Sequence, residues 1–192
     1  MKKLFTLGLL LFLFSTKSIC QQIIWQKTIG GSGNDFLECI IPSKDGGFVI
    51  SGSSNSNISG DKTENSIVYS DYWVVKLDNT GNIVWQNTIG GIDDEYLSSV
   101  IQVTDGGYVL GGNSYSNISG DKLENSNGDS DYWLIKLDSI GNIFWQKNIG
   151  GADRDVSSSL IQTNEGGYLF WGHSYSNISS DKTENSRGVN DY

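Results

Sequence analysis

The chain of 192 residues carries 22 acidic side chains against 13 basic ones, a formal charge of −9 at pH 7. A surface of that sign repels phosphate backbones, which excludes nucleic-acid binding driven by counterion release. Two cysteines are too few for a disulfide framework, so stability has to come from packing, for which six Trp, nine Tyr and seven Phe supply the material.

The N-terminus comes first in the chain and reads as a cleaved secretory signal spanning residues 1–20. Lys2 and Lys3 form a basic start, Leu4 to Phe14 an apolar run too short to span a bilayer, and Ser18 and Cys20 place small residues where a signal peptidase inspects. Gln21 is the expected mature start; acylation of Cys20 as a lipoprotein is the alternative. Cleavage removes three lysines and no acid, leaving 10 basic against 22 acidic side chains, a net of −12, with Cys39 as the one remaining thiol. The expected destination is secretion or the cell surface, and no later segment has the length and apolarity of a membrane span.

Residues 21–192 form a repeat region with a period of 60 residues: Trp25-Gln26, Trp85-Gln86 and Trp145-Gln146 open near-identical copies at about 25–84, 85–144 and 145–192. Within the second copy, Ser98–Val103 and Tyr108–Gly112 read as strands of a hairpin. The glycines for its tight turn come from Thr104-Asp105-Gly106-Gly107. A polar loop from Asn113 to Ser130 leads to a third strand at Asp131–Asp138, and Asp138-Ser139-Ile140-Gly141 turns the chain into a fourth at Asn142–Gln146. The apolar runs are nearly continuous instead of alternating, as expected of sheets covered on both faces.

The expected fold is therefore all-β: a partial β-propeller of four-stranded antiparallel blades in about three repeats. Subtracting the 18-residue loop from the 60-residue period leaves a typical blade length, whereas immunoglobulin-like sandwiches are longer and β-helix rungs shorter. Three copies, the last stopping at Asp191-Tyr192, fall short of the 4 to 8 blades of a closed ring. The sequence reads as a fragment or truncated frame, and Ile23–Gln26 as the fourth strand of a blade lacking its first three.

At Trp-Gln-Lys-Thr-Ile-Gly-Gly (25–31), Asp-Gly-Gly-Phe-Val (45–49) and Asp-Tyr-Trp-Val-Val-Lys-Leu-Asp (71–78), the module resembles the secreted bacterial β-propeller repeat proteins. Many members of that group are cargo of type IX secretion and carry a C-terminal sorting domain. The resemblance implies fold and export; it implies no catalytic residues.

Comparison of the copies singles out the polar loop. Strand residues drift, as Phe48-Val49-Ile50 becomes Tyr108-Val109-Leu110, while Asn57-Ile58-Ser59-Gly60-Asp61-Lys62 and Glu64-Asn65-Ser66 return almost unchanged at 117–126 and 177–186. One explanation is conformational: Asp61 and Glu64 have the spacing of a capping box on a single helical turn, with Asn57, Ser59 and Asn65 in local turns. A second is calcium, for which Asp61, Glu64, Asn65 and Asp71, and their counterparts Asp121, Glu124, Asn125 and Asp131, supply hard oxygen ligands. No other cofactor is expected. A third is contact with an extracellular glycan or protein.

Other recurring residues have plainer readings. Asp35, Glu95 and Asp155 are expected to accept backbone N–H bonds at a turn, and Lys76 with Asp78, like Lys136 with Asp138, to be solvated or paired across strands. Cys39 is expected as a small buried residue, and His173, alone of its kind, has no expected role. Trp25, Trp85 and Trp145 read as core. Nucleophile elbows, phosphate loops, zinc helices and Cys/His clusters are absent from the sequence. The leading expectation is a secreted, non-enzymatic scaffold presenting its loops to a glycan or protein. The alternative is a piece of a carbohydrate-active enzyme whose site lies in missing blades.

Overall fold

A computed structural model describes residues 23–189 and 191, so the expected signal segment lies outside the described residues. These residues contain strands and turns and no helix. One four-stranded sheet comprises β1 (Asp35–Pro42), β2 (Phe48–Ser54), β3 (Asp71–Leu77) and β4 (Ile83–Ile89). A second comprises β5 (Glu95–Gln102), β6 (Tyr108–Ser114), β7 (Asp131–Leu137) and β8 (Ile143–Ile149), and β9 (Asp155–Gln162) pairs with β10 (Tyr168–Ser174) in a two-stranded third. All pairings are antiparallel between chain neighbours. The sheets do not close on themselves.

Local chemistry sets these elements. Gly46, Gly106 and Gly166 hold φ near +86° at the hairpin turns, a conformation open to glycine at little cost. The following glycine is needed for space instead, since a Cβ on Gly47 would lie 2.1 Å from the Leu77 carbonyl oxygen and 2.7 Å from Lys76 Nζ. Lys76 occupies that space. It is buried, donates to its neighbour Leu77 O at 2.9 Å and pairs with Asp45 at 2.9 Å across the hairpin end. Lys136 does the same with Asp105 at 3.0 Å. These lysines are thus neither solvated nor paired with Asp78 and Asp138, whose carboxylates accept amide protons in their own turns.

β5 begins three residues before the expected start, because Glu95 is itself a strand residue opposite Ser114 and a bulge between Leu97 and Ser99 absorbs the extra length. The stretch 23–30 lies outside any strand. Trp25 there stands edge-on to Phe48 at 6.0 Å, and Lys27 donates to Gly81 O at 3.0 Å.

The sheets stack. Val49, Tyr72, Val74 and Ile89 of the first sheet meet Val100, Leu110, Trp133 and Ile135 of the second in one continuous core. A smaller core around Val109 and Leu160 joins the second sheet to the third, with Phe170 packed against it. Each fully buried aliphatic or aromatic side chain in these seams contributes roughly 2–3 kcal/mol. Aromatic pairs fix the approach: Tyr72 lies 5.3 Å from Trp133 and donates to its carbonyl at 3.3 Å, while Tyr132 lies 5.0 Å from Phe170 and donates to His173 O at 3.1 Å. Trp85 and Trp145 sit half-buried at these junctions, against Tyr108 and Tyr168 of the following sheet. Cys39 is likewise half-buried against the first core. No helix among the described residues is long and apolar enough to cross a membrane.

Candidate functional site

The loops 55–70, 115–130 and 175–189 leave the second strand of each sheet at one end, where they meet the links that carry the chain from sheet to sheet. Each begins as a tight reversal in which Ser59 and Lys62, Ser119 and Lys122, and Ser179 and Lys182 form isolated antiparallel bridges. Gly60 and Gly120 make the reversal at φ 56° and 54°, and Ser180 takes the same left-handed conformation at 47°. A helical turn is not formed there, so Asp61 and Glu64 are not a capping box. Their carboxylates reach further: Asp61 Oδ2 accepts Gly30 N at 3.2 Å, and Glu64 Oε2 accepts Thr88 N at 2.6 Å. The second copy repeats both, with Asp121 on Gly90 N at 3.2 Å and Glu124 on Asn148 N at 2.7 Å.

The other retained residues are spent in the same way. Asn65 and Asn125 accept Ile58 N and Ile118 N at 2.9 and 3.0 Å. Asp71 accepts Ile67 N at 2.6 Å, and Asp131 accepts Asn127 N. The eight residues expected as calcium ligands are therefore distributed over separate backbone amides. Among the described residues no three His, Cys, Asp or Glu side chains gather where one metal ion could sit.

Two residue types central to the loop are not apparent from sequence alone. The first is the loop lysine. Lys62 is buried, donates to Ser54 Oγ at 3.2 Å and Ser66 Oγ at 3.0 Å, and lies 5.7 Å above the Trp73 ring. Lys122 donates to Ser126 Oγ at 3.0 Å and lies 5.8 Å above Trp133. Burial pushes the ammonium of each below the usual lysine range, that of Lys122 to about 8. The second is the glutamine of the Trp-Gln pair. Gln86 Oε1 accepts Trp73 Nε1 at 3.0 Å and Thr63 N at 3.3 Å, and its Nε2 donates to Asp61 O at 2.7 Å. Gln146 makes the same three bonds in the second copy. Recurrence of Lys and Trp-Gln at the 60-residue period was the available signal.

Buried acids line the junctions beneath the loops. Glu95 Oε2 accepts Gly91 N at 2.8 Å, as Asp35 and Asp155 accept Gly31 N and Gly151 N at 2.7 Å, which bears out the expected role of this position. Asp71 Oδ1 rests on Gly90, where a Cβ would come within 1.8 Å, and has no hydrogen-bond donor; Asp131 Oδ1 rests on Gly150 in the same manner. The Ile-Gly-Gly sequence thus leaves room for one carboxylate and offers an amide to the next. Burial raises the Asp71 carboxyl to about 7, the Ile67 amide opposing and Glu95 adding to the rise; burial likewise raises Glu95 and Asp131.

Such a site can hold its own shape firmly and present what is left over to solvent. A polar crevice of about 220 Å³ opens at this end between the second and third loops, bordered by Glu124, Asn127 and Asp181. A larger cleft of about 300 Å³ lies away from the loops, on the outer face of the first sheet. Neither a protein-family model nor a curated protein matches the chain.

Proposed function

We propose that this is an exported, non-enzymatic scaffold whose stacked sheets are blades of a β-propeller and whose loop end binds an extracellular partner. The observation that carries the reading is that three loops of the same build stand side by side at one end, most of their retained carboxylates, amides and lysines consumed in holding the shape, so that each loop turns the residues left over outward from the same frame. A binding platform needs this kind of rigid repetition. An active site needs reactive groups left at liberty, and the recurring acids here are tied to backbone amides.

The ring arrangement has its own support. The face of the first sheet turned away from the second carries Ile40, Ile50, Trp73 and Val75, the positions that Val100, Leu110, Trp133 and Ile135 fill in the buried seam. A further sheet of this kind fits that face. Trp25 and Lys27 already meet Phe48 and Gly81 as Trp85 and Asn87 meet Tyr108 and Gly141.

The test is binding by the full chain to a glycan array and to a displayed peptide library. Replacing the exposed Asn57, Asn117 and Asn177 with alanine is expected to weaken whichever binding is found, and replacing the exposed Asn82 and Asn142 at the opposite end is expected to leave it unchanged. Binding indifferent to the loops would contradict the reading.

A further inference from the structure

The retained isoleucine of the loop has a side chain that its internal bonds do not account for. Ile58, Ile118 and Ile178 are the same residue in all three copies, and their side chains are 62%, 59% and 60% exposed. Their backbones are pinned from inside, each N–H donating to Asn65, Asn125 or Asn185 Oδ1. The next residue is pinned as well: Ser59, Ser119 and Ser179 donate to the carbonyls of Asn57, Asn117 and Asn177. The isoleucine is therefore held outward in a fixed pose.

A solitary exposed isoleucine on a surface needs no explanation; one held at the same place in every copy does. Other exposed positions of the same loop are free to change. Position 63 is Thr where 123 is Leu, and Ile67 becomes Asn127 and Arg187. A polar side chain at 58 would leave every hydrogen bond of the loop intact, because those bonds use only its backbone.

The surroundings define what would fit over it. Lys62 and Lys122 are buried and offer a partner no ammonium to touch, and Arg187 is the exposed cation of the third loop, whereas Glu64, Asp129 and Glu184 are exposed on the same surface. Of the cations that reach it beside the first two loops, Lys147 is paired with Glu124 at 3.0 Å and Arg154 lies 5.9 Å over the Tyr115 ring. The invariant apolar position is aliphatic, and an aliphatic knob lacks the flat ring face on which sugars stack.

Resting on the reading of the loop end as a binding surface, we infer that its partner is a protein, one that offers a row of apolar sockets rimmed by lysine or arginine to Ile58, Ile118 and Ile178. The apolar sockets supply affinity, the basic rim supplies attraction to the acidic loops, and repetition multiplies weak single contacts into a strong one.

The experiment uses the full chain and the variant Ile58→Ser, Ile118→Ser, Ile178→Ser, whose fold is checked by circular dichroism and melting. A phage-displayed random-peptide library is selected on the first and each enriched peptide is titrated against both. The expected result is peptides in which Lys or Arg flank aliphatic residues, binding the triple variant at least tenfold more weakly, with Ile118→Ser alone intermediate. Enriched peptides that bind both proteins equally, or no enrichment, overturn the inference. Glycan-array signals that survive the isoleucine changes but vanish with Asn57, Asn117 and Asn177 replaced would overturn the protein partner and leave the binding surface standing. Silence on both screens removes both readings.

Discussion

Asp71 and Glu95 meet at the first junction with both residues fully buried, and their protonation is tied to the fold. The folded-state value of Asp71, about 7, lies above its ordinary value near 3.8, so folding takes up a proton between those limits. The stability it contributes is fully present below about pH 4 and is lost as pH rises through 7. Lys122 works in a separate range, since its lowered value releases a proton on folding only above about pH 8. Asp45 has the opposite sign: the Ser43 hydroxyl, then Lys76 and the Gly47 amide, hold it down to about 2, so its contribution disappears only on acidification toward that value. Urea unfolding at pH 4 and pH 7 isolates the junction. Relative to Asp71→Asn, the wild-type chain is expected to lose stability between the two; identical pH dependence would contradict a protonated Asp71.

At the scale of one element, the hairpin turn separates two uses of glycine that look alike in sequence. Gly106 has φ +87° and open space around its missing Cβ, whereas Gly107 would set a Cβ 2.3 Å from both Leu137 O and Lys136 Nζ. Gly106→Ala is expected to cost about 1 kcal/mol of backbone strain, and Gly107→Ala about 2–4 kcal/mol because a buried lysine and its ion pair must move. Thermal melts of the two variants check the order, and equal losses would sink the distinction. The turn itself was legible from Asp105-Gly106-Gly107, as were the four strands, because hairpin glycines and β-branched runs are local signals. The loop was not. Its organising contacts join Asp61 to Gly30, Glu64 to Thr88 and Gln86 to Asp61 across 24 to 31 residues of sequence, and a local capping pattern offered a false answer. Burial of Lys62 was invisible because the Ser54 hydroxyl and the Trp73 ring that receive it belong to the two strands flanking the loop, and only the folding of the loop back onto them brings the three together.

For the molecule as a whole, the sheets cannot shield their own faces and so share cores. β1 shows the consequence directly: Leu97 and Val100 of β5 are buried between sheets, while their counterparts Leu37 and Ile40 in β1, with no described sheet on that side, are exposed. Retention of the loops follows from stacking too, because Asp121 in one loop grips Gly90 in the link arriving from the previous sheet. The period of the sequence made an array predictable; which side chains cross from sheet to sheet depends on register and could be read only in three dimensions. Tyr72 against Trp133 is the clearest crossing. A double-mutant cycle with Tyr72→Ala and Trp133→Leu, read by equilibrium unfolding, addresses it directly. Sheets packed on a common core predict a coupling energy of about 1 kcal/mol between the two sites; strictly additive losses would mean that neighbouring sheets fold without touching, and would contradict the shared core.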